Sequence, residues 1–285
     1  MHNESFGSSL KRGYMGLPVA IRTIITINVV AFLIQALGGQ ALNSFLVRWF
    51  AFYPEWKTAL LQPWRMVTYM FLHGGGFHLL FNMLWLWWLG RVVEETLGPR
   101  SFTVIFFGSG IGGAILDILF AQFLGINLVI GASGAVYGIM VAFAMLYPTA
   151  PIMLLFLPPI QARYVVAGLI ALDVLFLGTS DGTARIVHLG GAGIGYLLMR
   201  ARAGGFDLSS VIRPVERIWY ELKRSYKTKK EAPHNPNMYS VSDADIVEEV
   251  EQSELDAILE KISRKGYDAL SREEKRKLFE LSKKD

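Results

Sequence analysis

The stretch "NLVIGASGAVYG", Asn127 to Gly138, holds no charge, one serine at Ser133, and glycines at Gly131, Gly134 and Gly138. Long apolar runs flank it on both sides, so a single hydroxyl packed round with glycine falls where hydrocarbon is expected. A serine in such a place ordinarily bonds a carbonyl one turn back. Whether it does more depends on what else reaches the same depth, and that depends on how many times the chain crosses.

Of the 285 residues, 52% are hydrophobic, above the roughly 45–50% of a soluble domain. The excess is concentrated. Residues 1–205 hold 12 Lys/Arg and 7 Asp/Glu, whereas residues 206–285 hold 16 and 17. That pattern is a membrane domain followed by a charged, soluble tail. The basic balance follows from it and gives no case for nucleic acid. The absence of cysteine excludes disulfides and thiol catalysis. The first twenty residues show no short apolar core with a cleavage site, so the first apolar run reads as a retained signal anchor.

A span needs about twenty mostly apolar residues. Six are expected: Ile21–Leu37, Phe77–Val93, Phe102–Phe123, Ser133–Tyr147, Arg163–Leu177 and Ile186–Met199. Pro151–Pro159 is apolar but bracketed by prolines, and reads as a loop or partial helix. With the amino terminus inside, eight Lys/Arg near span ends fall on the inner side and four on the outer. This bias puts both termini in the cytoplasm, and a bacterial cell membrane is the expected location.

The even spans then all begin at the outer face. The second opens with His78 and Asn82 in "HLLFN", the fourth with Ser133, the sixth with His188 in "HLGGAGIG". Each residue alone has a bland account: a snorkelling histidine, an asparagine bonding between helices, a serine bonding its own backbone. Three such accidents at one depth are not expected, and ionisable groups inside a membrane are costly. The chemistry also fits. A neutral histidine can take a serine's proton, and the resulting oxyanion needs donors. His78 and Asn82, four apart, share a helical face. The start of the fourth helix adds backbone N–H groups beside Ser133. Gly131 and Gly134 permit a tight turn. Gly191 and Gly195 form G-x-x-x-G, which lets the sixth helix approach the fourth closely. Tyr137, one turn after Ser133, can pack on the imidazole. "GASGA" is not the G-x-S-x-G elbow, and "HGGG" at His73–Gly76 lacks the strand–turn–helix context of an esterase loop. His73 and His78 lack the H-E-x-x-H pattern of a zinc site, and no metal is expected.

These motifs resemble the rhomboid family of intramembrane serine proteases over about residues 16–202. The nucleophile motif G-x-S-G matches Gly131 to Gly134, with Tyr137 following. The histidine with G-x-x-x-G matches His188, Gly191 and Gly195. H-x-x-x-N matches His78 and Asn82, the oxyanion pair. The Trp-Arg of the first outer loop matches Trp64 and Arg65, and Glu-x-x-Leu-Gly matches Glu94, Leu97 and Gly98. The resemblance implies an all-α polytopic membrane protein with a six-transmembrane-helix bundle and a Ser–His dyad without an acid. It further implies an amphipathic first loop, about Gly39 to Gly76, lying partly in the outer leaflet. Substrates would be single-span transmembrane proteins, cut in or beside the span at small residues, and no cofactor is implied. Two other readings are open: a non-catalytic rhomboid-like membrane chaperone or dislocation factor, which would normally lack Ser133 or His188, and a small-solute transporter, which usually shows repeated halves.

Beyond the membrane domain of 1–205, residues 206–228 ("IRPVERIWYELKR" within them) suit a juxtamembrane amphipathic helix. Residues 229–252, with "KKEAPHNPN", read as a linker. In 253–285, Ser253 can cap a helix carrying Leu255, Ile258, Leu259 and Ile262, closed by Gly266. Ser271 with Glu274 forms a capping box opening a second helix with Leu278, Phe279 and Leu281. This small helical hairpin is expected to bind an unknown cytoplasmic partner.

Overall fold

The computed structural model describes residues 12–124, 128–153, 158–177, 182–231, and in the tail 257–264, 266, 270–271 and 273–276. Two compact units divide the chain, Met1–Trp219 and Tyr220–Asp285.

The first unit is built from helices. The longer ones are α1 (Val19–Leu37), α2 (Gly39–Phe50), α3 (Gly76–Trp85), α4 (Arg91–Leu124), α5 (Ser133–Leu146), α6 (Ala162–Leu175) and α7 (Gly182–Ala203). A π-helical turn over Leu86–Gly90 joins α3 to α4. Gly98, at φ 79° and followed by Pro99, breaks α4 into two arms. The Glu-x-x-Leu-Gly segment thus serves as the turn between them. Helix α8, Arg213–Glu231, carries the amphipathic segment and runs past the expected end at 228. The division between the two units falls within it.

Two helical stretches are long and apolar enough to cross a membrane, Val19–Leu37 and residues 76–121, the second being the one broken at Gly98. Helix α5 is apolar but has only 14 residues. The distribution of polarity is that of a membrane protein. Val30, Leu33 and Ile34 of α1, Phe81 of α3, Trp87 of the π-helical turn, and Leu119 and Phe123 of α4 are exposed, while Asn28, Gln35, Asn82, Asp117 and Asp173 are buried. Water would expel that arrangement; hydrocarbon outside and polar groups inside accept it.

Helix α5 lies at the centre. Nine of its residues between Gly134 and Phe143 are buried, Tyr137 being the partial exception. An apolar surface on every side suits a helix surrounded by others, here chiefly α4 and α7. The glycines set the spacing. A Cβ on Gly191 would stand 1.9 Å from the Gly134 carbonyl oxygen, and one on Gly195 would stand 2.6 Å from the Gly138 Cα. The two helices therefore touch backbone to backbone, as the G-x-x-x-G spacing predicts.

The first loop is anchored by its Trp-Arg pair. Trp64 Nε1 donates to the Trp49 carbonyl at 3.1 Å. Arg65 donates to the carbonyls of Ala51 (2.6 Å) and Arg48, and to Gln62. One guanidinium thus satisfies carbonyls left open where α2 ends. Glu94 does the reverse job at the start of α1: its two oxygens accept from the N–H groups of Ala20 and Ile21, both at 2.8 Å. Such charge-assisted bonds are each worth about 1.5–3 kcal/mol, and the acid also suits the positive helix end.

Of the segment Pro151–Pro159, expected as a loop or partial helix, residues 154–157 lie outside the described residues, and its first two residues are extended. Pro151–Ile152 pairs antiparallel with Ile160–Gln161 as a small two-stranded sheet. Proline favours extended backbone and is tolerated at a sheet edge.

In the tail, residues 257–264 are helical, and the Gly266 N–H closes the helix on the Ile262 carbonyl at 2.9 Å. The capping box is present: Ser271 N donates to Glu274 Oε2 (2.7 Å) and Glu274 N to Ser271 Oγ (3.2 Å). Ser253, Leu255, Leu278, Phe279 and Leu281 lie outside the described residues.

Candidate active site

Three helix starts converge. Ser133 is the first residue of α5, His78 the third of α3, and His188 the seventh of α7. The segment before Ser133 is held from two sides. Val129 and Phe52 exchange backbone bonds at 2.9 and 3.0 Å, and Gly131 N donates to the Tyr69 carbonyl at 2.9 Å. Gly131 has φ 122°, which only glycine adopts without strain, and a Cβ there would stand 2.7 Å from the His78 ring. The sharp turn at Gly131 thus delivers Ser133 into the first turn of α5 with His78 across from it.

No side chain caps α5, and its first backbone bond runs from Val136 N to the Ala132 carbonyl at 2.9 Å. The N–H groups of Ser133, Gly134 and Ala135 consequently have no acceptor within the helix. They form a donor set around the serine hydroxyl.

His188 Nε2 stands 2.8 Å from Ser133 Oγ, a contact between residues 55 apart in sequence. Tyr137 stacks on the imidazole, 4.4 Å between centroids and 12° between planes, which fixes the ring's tilt. The expected Ser–His pair is joined by a third group that the sequence reading missed. Asp173 of α6 places Oδ2 at 3.1 Å from His188 Nδ1 and Oδ1 at 3.2 Å from Arg185 Nη1. Its side chain is 6% exposed. A signal existed: an acid inside an expected span is a functional candidate by default.

His78 accepts from the Gly74 N–H through Nδ1, at 3.4 Å. That leaves Nε2 as the donor position, the one facing Gly131. Asn82 is buried and spends one amide hydrogen on the His78 carbonyl at 2.8 Å, leaving the other. His73, edge-on to His78 at 5.0 Å, is buried, and its backbone N–H is fixed by Gln35. Trp64, Arg65 and Glu94 stand apart from this cluster; the first two hold the first loop and Glu94 caps α1. Among the described residues, no group of three or more His, Asp or Glu could hold a metal.

The family model for the Rhomboid domain matches residues 60–203, which contain every residue of this cluster. The chain belongs to the rhomboid family. It is therefore an integral membrane protein, all-α in class. This rhomboid is 33% identical over 153 residues to RHOMBOID-like protein 4 of Arabidopsis thaliana, a match covering 54% of the chain and 35% of that relative. It is 29% identical over 204 residues to the rhomboid protease GluP of Bacillus subtilis, covering 69% and 39%. It is 30% identical over 181 residues to the rhomboid protease GlpG of Yersinia enterocolitica, covering 64% and 61%. The chain thus spans between about a third and three fifths of these relatives' lengths. A second model, a family of unknown function (DUF6576), matches residues 248–284 of the tail.

Proposed function

We propose that this rhomboid is an intramembrane serine endopeptidase that cleaves single-span membrane proteins in or next to their transmembrane segment. The observation that carries the reading is the 2.8 Å contact of His188 Nε2 with Ser133 Oγ. A hydroxyl is a weak nucleophile until a base within hydrogen-bond reach takes its proton. That separation lies inside the required range of about 2.6–3.2 Å.

In the proposed reaction, Ser133 Oγ attacks a peptide carbonyl while His188 Nε2 accepts its proton. The carbonyl oxygen becomes an oxyanion, received by the N–H groups at the start of α5 together with His78 and Asn82. Collapse breaks the C–N bond, His188 returns the proton to the departing amine, and the acyl chain remains as an ester on Ser133. Water, deprotonated by His188, then hydrolyses the ester. Because a helix hides its carbonyls in its own hydrogen bonds, the substrate must be extended where it is cut. The close packing of Gly131 and His78 favours small residues there.

The proposal includes six spans, with α3 and the two arms of α4 supplying the second and third. It places both termini on the cytoplasmic side of a bacterial cell membrane, supported by the Lys/Arg bias. The exposed aromatic and apolar residues of α2, Leu42, Phe45 and Trp49, support a first loop resting in the outer leaflet. The test is to incubate the purified protein in detergent with a single-span model substrate, beside Ser133→Ala. Cleavage lost in the variant is the expected result. Equal cleavage by both would remove Ser133 from the reaction. Binding of the substrate without cleavage by either would favour the chaperone reading.

A further inference from the structure

We infer that Asp173 is the positioning residue of this site, selecting the imidazole tautomer that makes His188 a base toward Ser133. The inference rests on the Ser133–His188 reading and goes beyond it, since that reading needs no acid. A neutral imidazole has one N–H and one bare nitrogen. Ser133 can give up its proton only if Nε2 is bare, so Nδ1 must carry the hydrogen. The group facing Nδ1 is Asp173 Oδ2, at 3.1 Å. An ionised carboxylate only accepts, so the contact is satisfied when Nδ1 is protonated and lost in the other tautomer.

The carboxylate is itself held. Arg185 Nη1 meets Oδ1 at 3.2 Å, its guanidinium lies 5.5 Å from the centre of the Phe176 ring, and Tyr137 stacks on the imidazole that the acid faces. Asp173 comes from α6, Ser133 from α5, His188 and Arg185 from α7. Three helices therefore fix one ring in plane, tilt and tautomer. The same Arg185 contact gives the inference a sharp consequence. In Asp173→Asn, the amide oxygen is drawn to Arg185 and the amide NH₂ is turned toward His188 Nδ1. That stabilises the tautomer with hydrogen on Nε2, which leaves Ser133 without an acceptor. Asp173→Ala removes the bias without imposing the wrong tautomer.

Asn is nearly isosteric with Asp, so a residue needed only for packing would tolerate Asn better than Ala. The tautomer role reverses that order. The experiment measures kcat and KM of wild type, Asp173→Asn, Asp173→Ala, Ser133→Ala and His188→Ala on a single-span substrate. In parallel, ¹⁵N-histidine spectra of the wild type at alkaline pH are taken, with the His188 signal identified by its loss in His188→Gln. The expected result is a kcat loss of about 10³–10⁴-fold for Asp173→Asn and a smaller loss for Asp173→Ala. KM stays within about threefold, because this buried acid lies behind the imidazole, and wild-type His188 is protonated on Nδ1. A kcat for Asp173→Asn equal to or above that of Asp173→Ala would overturn the inference, as would an Nε2-protonated His188 in the wild type. If Asp173→Asn does not fold, the wild-type spectrum alone decides. Dead Ser133→Ala and His188→Ala beside a fully active Asp173→Asn would end this inference only; an active Ser133→Ala would end the reading beneath it.

Discussion

At the scale of single residues, the proposed reaction divides the labour of the site between side chains that react and side chains that hold. His188 is the proposed base, and it sits at the mouth of a polar cluster with a side chain 19% exposed. Its removal leaves no large buried void, so His188→Ala is expected to abolish turnover while the thermal unfolding midpoint in detergent stays near wild type. Retained activity above a few per cent would assign the base elsewhere. His78 and Asn82 have a different expected signature. One oxyanion donor is typically worth about 10²–10³ in rate, and here three backbone N–H groups share the load. Each single alanine variant should be slowed, with kcat falling more than KM changes, yet remain above Ser133→Ala. A variant as inactive as Ser133→Ala would make that residue structural. Most of the members of this cluster could be read in the sequence, because Ser133, His188, His78 and Asn82 stand at fixed spacings from glycines or from each other. Asp173 could not be paired in advance. It sits 15 residues before His188, on another helix, and only the crossing of α6 with α7 brings the two together.

At the scale of elements, the contact between α5 and α7 decides whether Ser133 and His188 meet. Their backbones touch at Gly134–Gly191 and Gly138–Gly195. Gly191→Ala inserts a methyl into the Gly134 carbonyl, so the helices must separate. Overpacking of this kind costs about 1–3 kcal/mol, and a shift of an ångström at the site can cost about 10²-fold in rate. A lowered unfolding midpoint together with reduced kcat is expected; a wild-type rate would show that the helices adjust without moving the dyad. The tail offers a pH test. Lys261 donates to Glu274 and the Ser271 N–H adds a second bond, so the Glu274 carboxyl is held at about 2, below its usual 4.5. A depressed value means the contact contributes fully above about 4.5 and is lost as pH falls toward 2. Carboxyl ¹³C shifts should titrate with a midpoint near 2, and Lys261→Met should raise it. An unchanged midpoint in that variant would remove Lys261 as the cause. The helices themselves follow from long apolar runs and their stops. The pairing of Pro151–Ile152 with Ile160–Gln161 did not, because prolines mark an interruption without specifying a partner strand.

At the scale of the whole molecule, the chain is a rhomboid domain followed by a unit of its own composition. The Rhomboid match ends at residue 203, and every residue given a part in the proposed reaction lies within 78–188. The tail supplies none of them. Truncation after Thr228 should therefore leave turnover of a model substrate within a few-fold of the full chain. A purified, folded truncation without activity would mean that the tail supports the packing of α7 and so the position of His188. The membrane character was legible from charge density alone, since residues 1–205 carry 19 charged residues and the shorter segment 206–285 carries 33. The inverted polarity, with Asp117 and Asp173 inside and Leu33 and Phe123 outside, was not, because facing is set by packing. The central claim is that His188 activates Ser133 as a nucleophile. The most direct measurement is intact-protein and peptide mass spectrometry after treatment with a fluorophosphonate, which reacts with activated serines. A single adduct on Ser133, absent from His188→Ala, is the predicted result. An adduct on another residue, or undiminished labelling of Ser133 in His188→Ala, would contradict it.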